Sequence, residues 1–491
     1  MIRTVEEFSL TLGDAAEKVG GSLHGDAHIK FTGVVSADKD VVAGDLFLAF
    51  PGAHSHGARY AASAVAKGAV AVLTDAKGSE QLSNIPHIVV SNARTAGATI
   101  AASLYRNPMR DMQSIGITGT NGKTTVTTLL FEIFEKVGRD AGLIGTAGNR
   151  IGRESLKSER TTPEACELQA LTAVMREQHM RHVVMEVSSH SLEMKRMIGS
   201  HFSIVGFTNL SQDHLDFHHD MESYFQAKKK LFTHEYAESA FINIDTEFGK
   251  RLFEGCEIHA TSISRFEKSA IWHFKELHNT ASGMEFVIRG AGGILIESST
   301  QLHGAFNADN LLMAIAIATE CGVDPIEIAA LAPQLLGAPG RMQGVILGQP
   351  YKAIVDYAHS PDAVVNVLKS AREFTTGKVI AVLGCGGDRD KSKRPLMGKA
   401  LVDGADIAIM TSDNPRSEHP SDILGEMSHG LSTALVIEDR RAAIEKAIEL
   451  AEPGDSVLVL GKGHELGQEI HGVMAPFDDR LELARAIELK K

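Results

Sequence analysis

The sequence predicts an α/β protein of three domains: a smaller N-terminal α/β domain, a central mostly parallel sheet, and a C-terminal Rossmann-like doubly wound sheet. Three observations lead there. The chain has 491 residues, and at roughly 150 residues per domain that suggests about three. Short apolar runs alternate with helical periods over most of its length, the pattern of parallel sheets. Finally, "GITGTNGKTT" (116–125) stands where an apolar run gives way to a helix.

Residues 1–108 read as short strands and small helices. "AGDLFLAF" (43–50) is a buried strand after a turn, "ARYAASAVAKGAVAVLTD" a helix, glycine stop and strand, and "HIVVSN" a further strand. "NPM" (107–109) marks a boundary. Within 109–336, "HVVMEVSS" (182–189), "SIVGFTN" (203–209) and "AFINID" (240–245) are buried-strand candidates. The stretch 256–300 is more β-like and less regular, and "HGAFNADNLLMAIAIATECG" (303–322) is a loop leading into an apolar helix. "LGAPGRMQ" (336–343), rich in glycine and proline, marks the second boundary. In 337–491, "AIVDYA", "KVIAVLGCGG", "DIAIMTSD" and "SVLVLGKG" read as strands, each followed by a helical stretch.

The 116–125 stretch has the chemistry of a P-loop. Backbone N–H groups of a glycine-rich loop and the N-terminus of the next helix hold phosphate. Gly119 and Gly122 permit the torsions, Lys123 neutralises phosphate, and Thr124 offers a hydroxyl to Mg²⁺. Val126, Leu129, Leu130, Ile133, Phe134 and Val137 then recur at helical spacing before Gly138. The loop departs from the usual pattern: five residues, not four, separate Gly116 from Gly122. The central domain is therefore expected to be a P-loop mononucleotide-binding sheet.

Composition narrows the function. Hydrophobic residues make up 43% of the chain, enough for several cores. A net charge of −13 argues against a nucleic-acid binder. Cys166, Cys256, Cys321 and Cys385 are scattered without a C-x-x-C pair, so neither disulfides nor a zinc framework is expected, and a reducing cytoplasm fits. "MIRTVEEFSLTLGD" lacks the features of a signal peptide. No apolar run approaches the ~20 residues of a membrane span, so no membrane insertion is expected.

Other residues with chemistry lie where strands end. Glu186 closes an apolar strand, where a carboxylate suits Mg²⁺. "FTNLSQDHLDFHHDMESYFQAKKKLF" (207–232) is dense in Asp213, His214, Asp216, His218, His219 and Asp220, without a recognisable zinc spacing. "GCGGDRDKSKRPLMG" (384–398) carries Arg389, Lys391, Lys393 and Arg394, consistent with an anionic ligand. "SDNPRSE" (412–418) and "GKGHE" (461–465) follow neighbouring strands. Taken singly, each is as readily a plain turn; three polar loops at successive strand ends favour one shared crevice.

In order along the chain, "GITGTNGKTT", "MEVSSH", "FTNLSQDHLD", "YFQAKKKLF", "GAFNADN", "GRMQ", "DYAHSPD", "GCGGDRDKSKRPLMG", "DNPR" and "GKGHE" resemble the Mur ligases, of the UDP-N-acetylmuramoyl-tripeptide synthetase (MurE) type. That resemblance implies a first domain holding the UDP moiety, a second holding ATP and a third holding an incoming amino acid. It implies that ATP phosphorylates a D-glutamate carboxylate and that a diamino acid then attacks the acyl phosphate. By resemblance, Gly119, Thr120, Asn121, Gly122, Lys123, Thr124 and Thr125 hold ATP, with Asn307 against adenine and Arg341 and Asp356 on the nucleotide. Lys123 and Thr124 serve the phosphates and a first Mg²⁺, Glu186 and His214 ligate a second, and Lys228, as a carbamate, is a further metal ligand; Lys123, Glu186, His214 and Lys228 form the catalytic set. Thr161, Thr162, Ser188 and Arg196 hold the muramoyl-dipeptide, with His54 and Ser55 against the UDP substrate. The chain departs from the family's usual glutamine at Met194 and from Asp-Ser-Arg at Ala37, Asp38 and Lys39. Arg389, Asp413, Asn414, Pro415, Arg416, Gly461 and Glu465 match amino-acid contacts. "DNPR" resembles the form associated with meso-diaminopimelate, whose distal carboxylate Arg416 could pair bidentately; L-lysine or another diamine is the alternative. A monomer acting on small molecules is expected. A related ligase such as folylpolyglutamate synthetase, or a nucleotide-dependent binding module, are the rival readings.

Overall fold

The computed structural model describes residues 2–52, 55–156, 160–280 and 282–491. The chain divides into two compact units: Met1–His273 with Gly290–Gly292 and Leu312–Asp324, and Phe274–Arg289 with Gly293–Leu311 and Pro325–Lys491.

The first unit carries two sheets. The smaller runs Ser22–His24, His87–Val89, Ala71–Thr74, Asp45–Ala49, Gly33–Val35 in spatial order, parallel except for its first pair. Helix Ala93–Leu104, whose N-cap Asn92 accepts from the Thr95 N–H, covers one face. Leu46, Leu48, Leu73, Ile88 and Ile100 pack there with Cys166, Ala170 and Ala173 of helix Ala165–Glu177, so this core draws on residues beyond 108.

The larger sheet places Gln113–Thr118 between His182–Glu186 and Phe202–Phe207, followed outward by Ala237–Asn243 and His259–Ser264, all parallel. On the other side lie Ala141–Ile144 and the antiparallel hairpin Asn149–Ile151/Glu154–Leu156. The central strands Gln113–Thr118, His182–Glu186 and Phe202–Phe207 are buried on both faces, which is why they read as largely apolar runs. Helix Lys123–Lys136 buries Val126, Leu129, Leu130, Ile133 and Phe134 and stops before Gly138 at φ 73°.

In the second unit the sheet order is Gln343–Gly344, Lys352–Asp356, Ser456–Leu460, Val379–Cys385, Ile407–Ser412, Leu435–Val436, parallel after its first pair. Asp356, Leu460, Cys385 and Ser412 therefore end neighbouring strands on one edge. One expectation fails here. Strand Ser456–Leu460 leads first into an antiparallel ribbon, Gly467–Ile470 with Val473–Pro476, and only then into helix Asp479–Lys490. The ribbon is held by its own antiparallel pairing, from Gly467 with Pro476 to Ile470 with Val473, and is tied to the "DNPR" loop where Arg416 bridges to Ile470 and donates its N–H to the Glu469 carbonyl. Among the described residues, no helix is long and apolar enough to cross a membrane.

Candidate active site

The P-loop lies between strand Gln113–Thr118 and helix Lys123–Lys136, as its sequence predicted. Gly119 has φ 148° and Gly122 φ 87°, both in the region that disfavours side chains. A Cβ on Gly119 would also fall inside contact distance of the Thr208 hydroxyl. That hydroxyl donates to the Asn121 carbonyl at 2.6 Å, and the Asn121 N–H donates to Asn209 Oδ1 at 3.0 Å. Thr120 donates its N–H to the Asn209 carbonyl and its hydroxyl to the Ser211 carbonyl. The loop is thus pinned to the 208–211 segment at the end of the adjacent strand. Lys123 donates from Nζ to the Gly119 and Thr120 carbonyls, both at 2.9 Å. Thr125 is buried at the start of the helix.

The structure brings Thr124 to Glu186: the Thr124 hydroxyl donates to Glu186 Oε2 at 3.0 Å. Glu186 is 1% exposed. Its other partners are the Thr146 N–H, 2.7 Å from Oε1, and the Thr146 hydroxyl, 3.3 Å from Oε2. Among the described residues, Glu186 forms no ion pair. A buried carboxylate held only by neutral donors carries charge that a cation would balance. The oxygen-rich set of Thr124, Thr146 and Glu186 suits a hard cation such as Mg²⁺. Thr146, in the "GTAGN" turn after strand Ala141–Ile144, was missed in the sequence although it too sits at a strand end.

Lys228 is 1% exposed, on helix Met221–Lys229. Its Nζ donates to the Gly119 carbonyl at 2.8 Å and lies 4.7 Å from the Tyr224 ring centroid. Burial pushes the Lys228 ammonium well below its ordinary value, and the nearby Lys123 charge adds to this, opposed by Asp213. Tyr224 also borders His214, with ring centroids 6.3 Å apart. Nε2 of His214 stands 3.5 Å from Asp213 Oδ2. Tyr224 thus links the two candidate ligands, a role its sequence did not reveal. Among the described residues, no group of three or more His, Cys, Asp or Glu side chains is placed to hold a metal. Buried His218 instead shares a hydrogen bond with the Ser189 hydroxyl at 2.9 Å and stacks on Tyr224.

The expected dipeptide contacts cluster beside Glu186. The Thr161 and Thr146 hydroxyls are 2.9 Å apart. Thr162 donates to the Glu186 carbonyl at 2.9 Å and to Ser188 Oγ at 3.3 Å. Arg196 donates to the Thr162 carbonyl at 3.2 Å and pairs with Glu164 at 3.0 Å. Burial lowers the Arg196 pKa, with Glu164 opposing. Arg94 also pairs with Glu164, so this carboxylate anchors two arginines. Ser55 accepts the Gly52 N–H at its carbonyl, and His54 lies outside the described residues.

In the second unit, Asp356 accepts the Met342 and Ala358 N–H groups at 2.7 and 2.8 Å. Burial raises its carboxyl pKa, and Arg341 opposes that shift. Arg341 lies over the Tyr357 ring at 4.8 Å. Asn307, buried, donates to the His303 carbonyl at 2.9 Å. The "DNPR" and "GKGHE" loops interlock: Asn414 donates to Glu465 at 2.8 Å, and a Cβ on Gly461 (φ 110°) would stand 2.7 Å from Asp413 Oδ2. Burial raises the Asp413 pKa, opposed by Arg440 and Lys462. Pro415 is buried behind them, and Arg389 is exposed. Arg416 (φ 52°) donates from Nη1 to the Gly387 carbonyl at 2.6 Å, with Nε 3.3 Å from Glu469 Oε2. Two of the cations expected to serve an anion are neutralised internally. Arg394 bonds Glu418 and Glu426, and Lys391 pairs with Glu418.

Residues 28–108 match the Mur ligase family catalytic domain, 117–318 the Mur ligase middle domain and 340–463 the Mur ligase glutamate ligase domain. The chain is 45% identical over 497 residues to a UDP-N-acetylmuramoyl-L-alanyl-D-glutamate--2,6-diaminopimelate ligase of Streptomyces coelicolor, covering 99% of this chain and 98% of that one. The chain belongs to the Mur ligase family. This Mur ligase is also 41% identical over 450 residues to the Aquifex aeolicus protein of the same description, covering 91% and 92% of the two chains. A solved structure of a protein so described matches with TM-score 0.72 at 32% identity, covering 98% of this Mur ligase and 99% of that chain. The resemblance carried by the ordered motifs and the α/β fold class both hold.

Proposed function

We propose that this Mur ligase joins meso-diaminopimelate to UDP-N-acetylmuramoyl-L-alanyl-D-glutamate at the expense of ATP, in the cytoplasm, as a monomer. The observation that carries the reading is the 45% identity along 99% of the chain to a ligase of that description. The P-loop and the Thr124–Glu186 contact support it at the level of chemistry. Residues 1–108 would hold the UDP substrate, 109–336 ATP, and 337–491 the amino acid.

A carboxylate is a poor electrophile, and phosphorylation gives it a leaving group. The D-glutamate carboxylate attacks the γ-phosphorus, ADP departs, and the amine attacks the acyl carbon as phosphate leaves. Two anions must meet in the first step, so positive charge is needed between them. Lys123 supplies one charge, and the P-loop N–H groups and the N-terminus of helix Lys123–Lys136 hold the phosphates. Thr124, Glu186, His214 and Lys228 would hold Mg²⁺, which when bound screens the meeting anions. Lys228, buried and driven toward its neutral amine, is poised to add CO₂. The resulting carbamate would be an anion beside Lys123. Thr161, Thr162, Ser188 and Arg196 would fix the dipeptide arm, and Ser55 and His54 the UDP end. Asn307, Arg341 and Asp356 would serve the nucleotide. In the amino-acid pocket, the distal carboxylate would take the place Glu469 now holds against Arg416, and Glu465 would accept the distal ammonium. Arg389, Asp413, Asn414, Pro415 and Gly461 would complete the pocket.

The test is phosphate release from ATP with UDP-N-acetylmuramoyl-L-alanyl-D-glutamate and meso-diaminopimelate, L-lysine or L-ornithine in parallel. Release with diaminopimelate alone is expected. Release with lysine or ornithine instead discards the "DNPR" assignment, and no amine-dependent release discards the ligase.

A further inference from the structure

Lys462 stands inside the amino-acid pocket yet is 0% exposed. It lies between two glycines in "GKGHE", directly after strand Ser456–Leu460. Its ammonium donates to Asn414 Oδ1 at 2.9 Å and to Glu465 Oε2 at 3.0 Å, and stands 3.6 Å from Asp413 Oδ1. Asn414 Oδ1 also accepts the Glu469 N–H at 3.0 Å, and Asn414 Nδ2 donates to Glu465 Oε2 at 2.8 Å.

These contacts fix two side chains at once. With two donors on its oxygen, the Asn414 amide can only present its NH₂ to Glu465. Glu465 in turn is held through Oε2 alone. Its side chain is 34% exposed, and among the described residues Oε1 has no hydrogen-bond partner. One carboxylate oxygen is locked by the protein while the other stays available.

We propose that Lys462 is a positioning residue that holds Glu465 ready for the ammonium of the incoming amino acid. Its buried ammonium locks Asn414 and one oxygen of Glu465, so that the second oxygen accepts from the ammonium of the incoming amino acid. This rests on the amino-acid assignment made above. Lys462 also lets Asp413 and Glu465 sit together: it lies between them, 3.6 Å from Asp413 Oδ1 and 3.0 Å from Glu465 Oε2, and offsets one of the two negative charges. Without that charge, Glu465 is free to rotate and Asn414 to flip. Affinity for the amino acid then falls by far more than affinity for ATP, because neither Asn414 nor Glu465 is among the residues assigned to the nucleotide.

The experiment compares K462M, K462R, E465Q and the K462M/E465Q pair, measuring KM for meso-diaminopimelate, KM for ATP, kcat, and thermal unfolding as a fold check. K462M is expected to raise the amino-acid KM by about tenfold or more, with ATP KM within about twofold, the loss of an interaction that fixes one ligand. E465Q is expected to do the same, and the double variant to be no worse than about twofold beyond the poorer single variant, because both act through one contact. K462R, which keeps the buried cation, should restore most of the amino-acid affinity. A K462M effect shared equally between ATP and the amino acid, or additive with E465Q, overturns the proposal. If K462M does not fold, K462R decides alone: a folded K462R with an amino-acid KM as poor as that of E465Q overturns it. E465Q without effect on the amino-acid KM would instead remove the pocket assignment itself.

Discussion

Asp479→Asn removes the charge from a fully buried ion pair. The side chains of Arg440 and Asp479 are each 0% exposed and joined by two hydrogen bonds, 2.7 Å from Nε and 2.6 Å from Nη2. The same guanidinium donates to the Leu460 carbonyl at 2.9 Å and to the Ser412 carbonyl at 3.3 Å. Those carbonyls end the two strands that lead into "GKGHE" and "DNPR", so Arg440 ties both loops to helix Asp479–Lys490. Removing one partner of such a pair strands a buried charge and costs about 3–5 kcal/mol. A Coulomb energy of about 4 kcal/mol at 4 Å in an effective dielectric of 20 agrees. For a domain of roughly 150 residues this corresponds to a fall in Tm of about 6–20 °C. Calorimetric unfolding at neutral pH reads it. The joint change Arg440→Met with Asp479→Leu deletes more atoms yet strands no charge, so it should cost less than the sum of the single changes. A loss below about 1 kcal/mol for Asp479→Asn, or strict additivity in the pair, would refute the reasoning.

Gly119→Ala places a side chain against the Thr208 hydroxyl at φ 148°. Strain of about 1–3 kcal/mol in the loop should raise the KM for ATP about 5–150-fold with the fold intact, and an unchanged KM contradicts the loop assignment. Lys228→Met should abolish ligation and, in carbonate-free buffer, stabilise the fold near neutral pH. Burial lowers the folded pKa of Lys228, so the unfolded chain binds the extra proton between that value and about 10.4, and wild-type stability rises with pH across that window. The variant's advantage is therefore largest below the window and shrinks toward its upper end; a variant less stable than wild type at neutral pH argues against the buried amine. Arg416→Ala should raise the KM for meso-diaminopimelate by about 30-fold or more and leave that for ATP within about twofold, whereas equal effects on both remove Arg416 from amino-acid recognition.

What could be read in the sequence was what the backbone dictates locally. Gly119, Gly122, Lys123 and Thr124 are legible because a phosphate loop needs glycine torsions and a cation at fixed spacing. Glu186 stands out because it closes an apolar strand. Lys228 came through family resemblance alone. "AKKK" reads as a solvated helix face, and only the structure shows Lys228 buried beside Tyr224 while Lys229 is half-buried and Lys230 exposed. Thr146 was hidden because a threonine after a strand is ordinary. Arg440 and Asp479 lie 39 residues apart and follow no local pattern. Arg394 looked like a ligand for an anion because its partners Glu418 and Glu426 are distant in sequence.

The most direct measurement follows oxygen. UDP-N-acetylmuramoyl-L-alanyl-D-glutamate labelled with ¹⁸O in the D-glutamate carboxylates is incubated with ATP, Mg²⁺ and meso-diaminopimelate, and the phosphate released is weighed by mass spectrometry. An acyl phosphate predicts one ¹⁸O in each phosphate, formed only as the tripeptide forms. Phosphate without label, or formed at the same rate without the amino acid, would contradict carboxylate activation at this site.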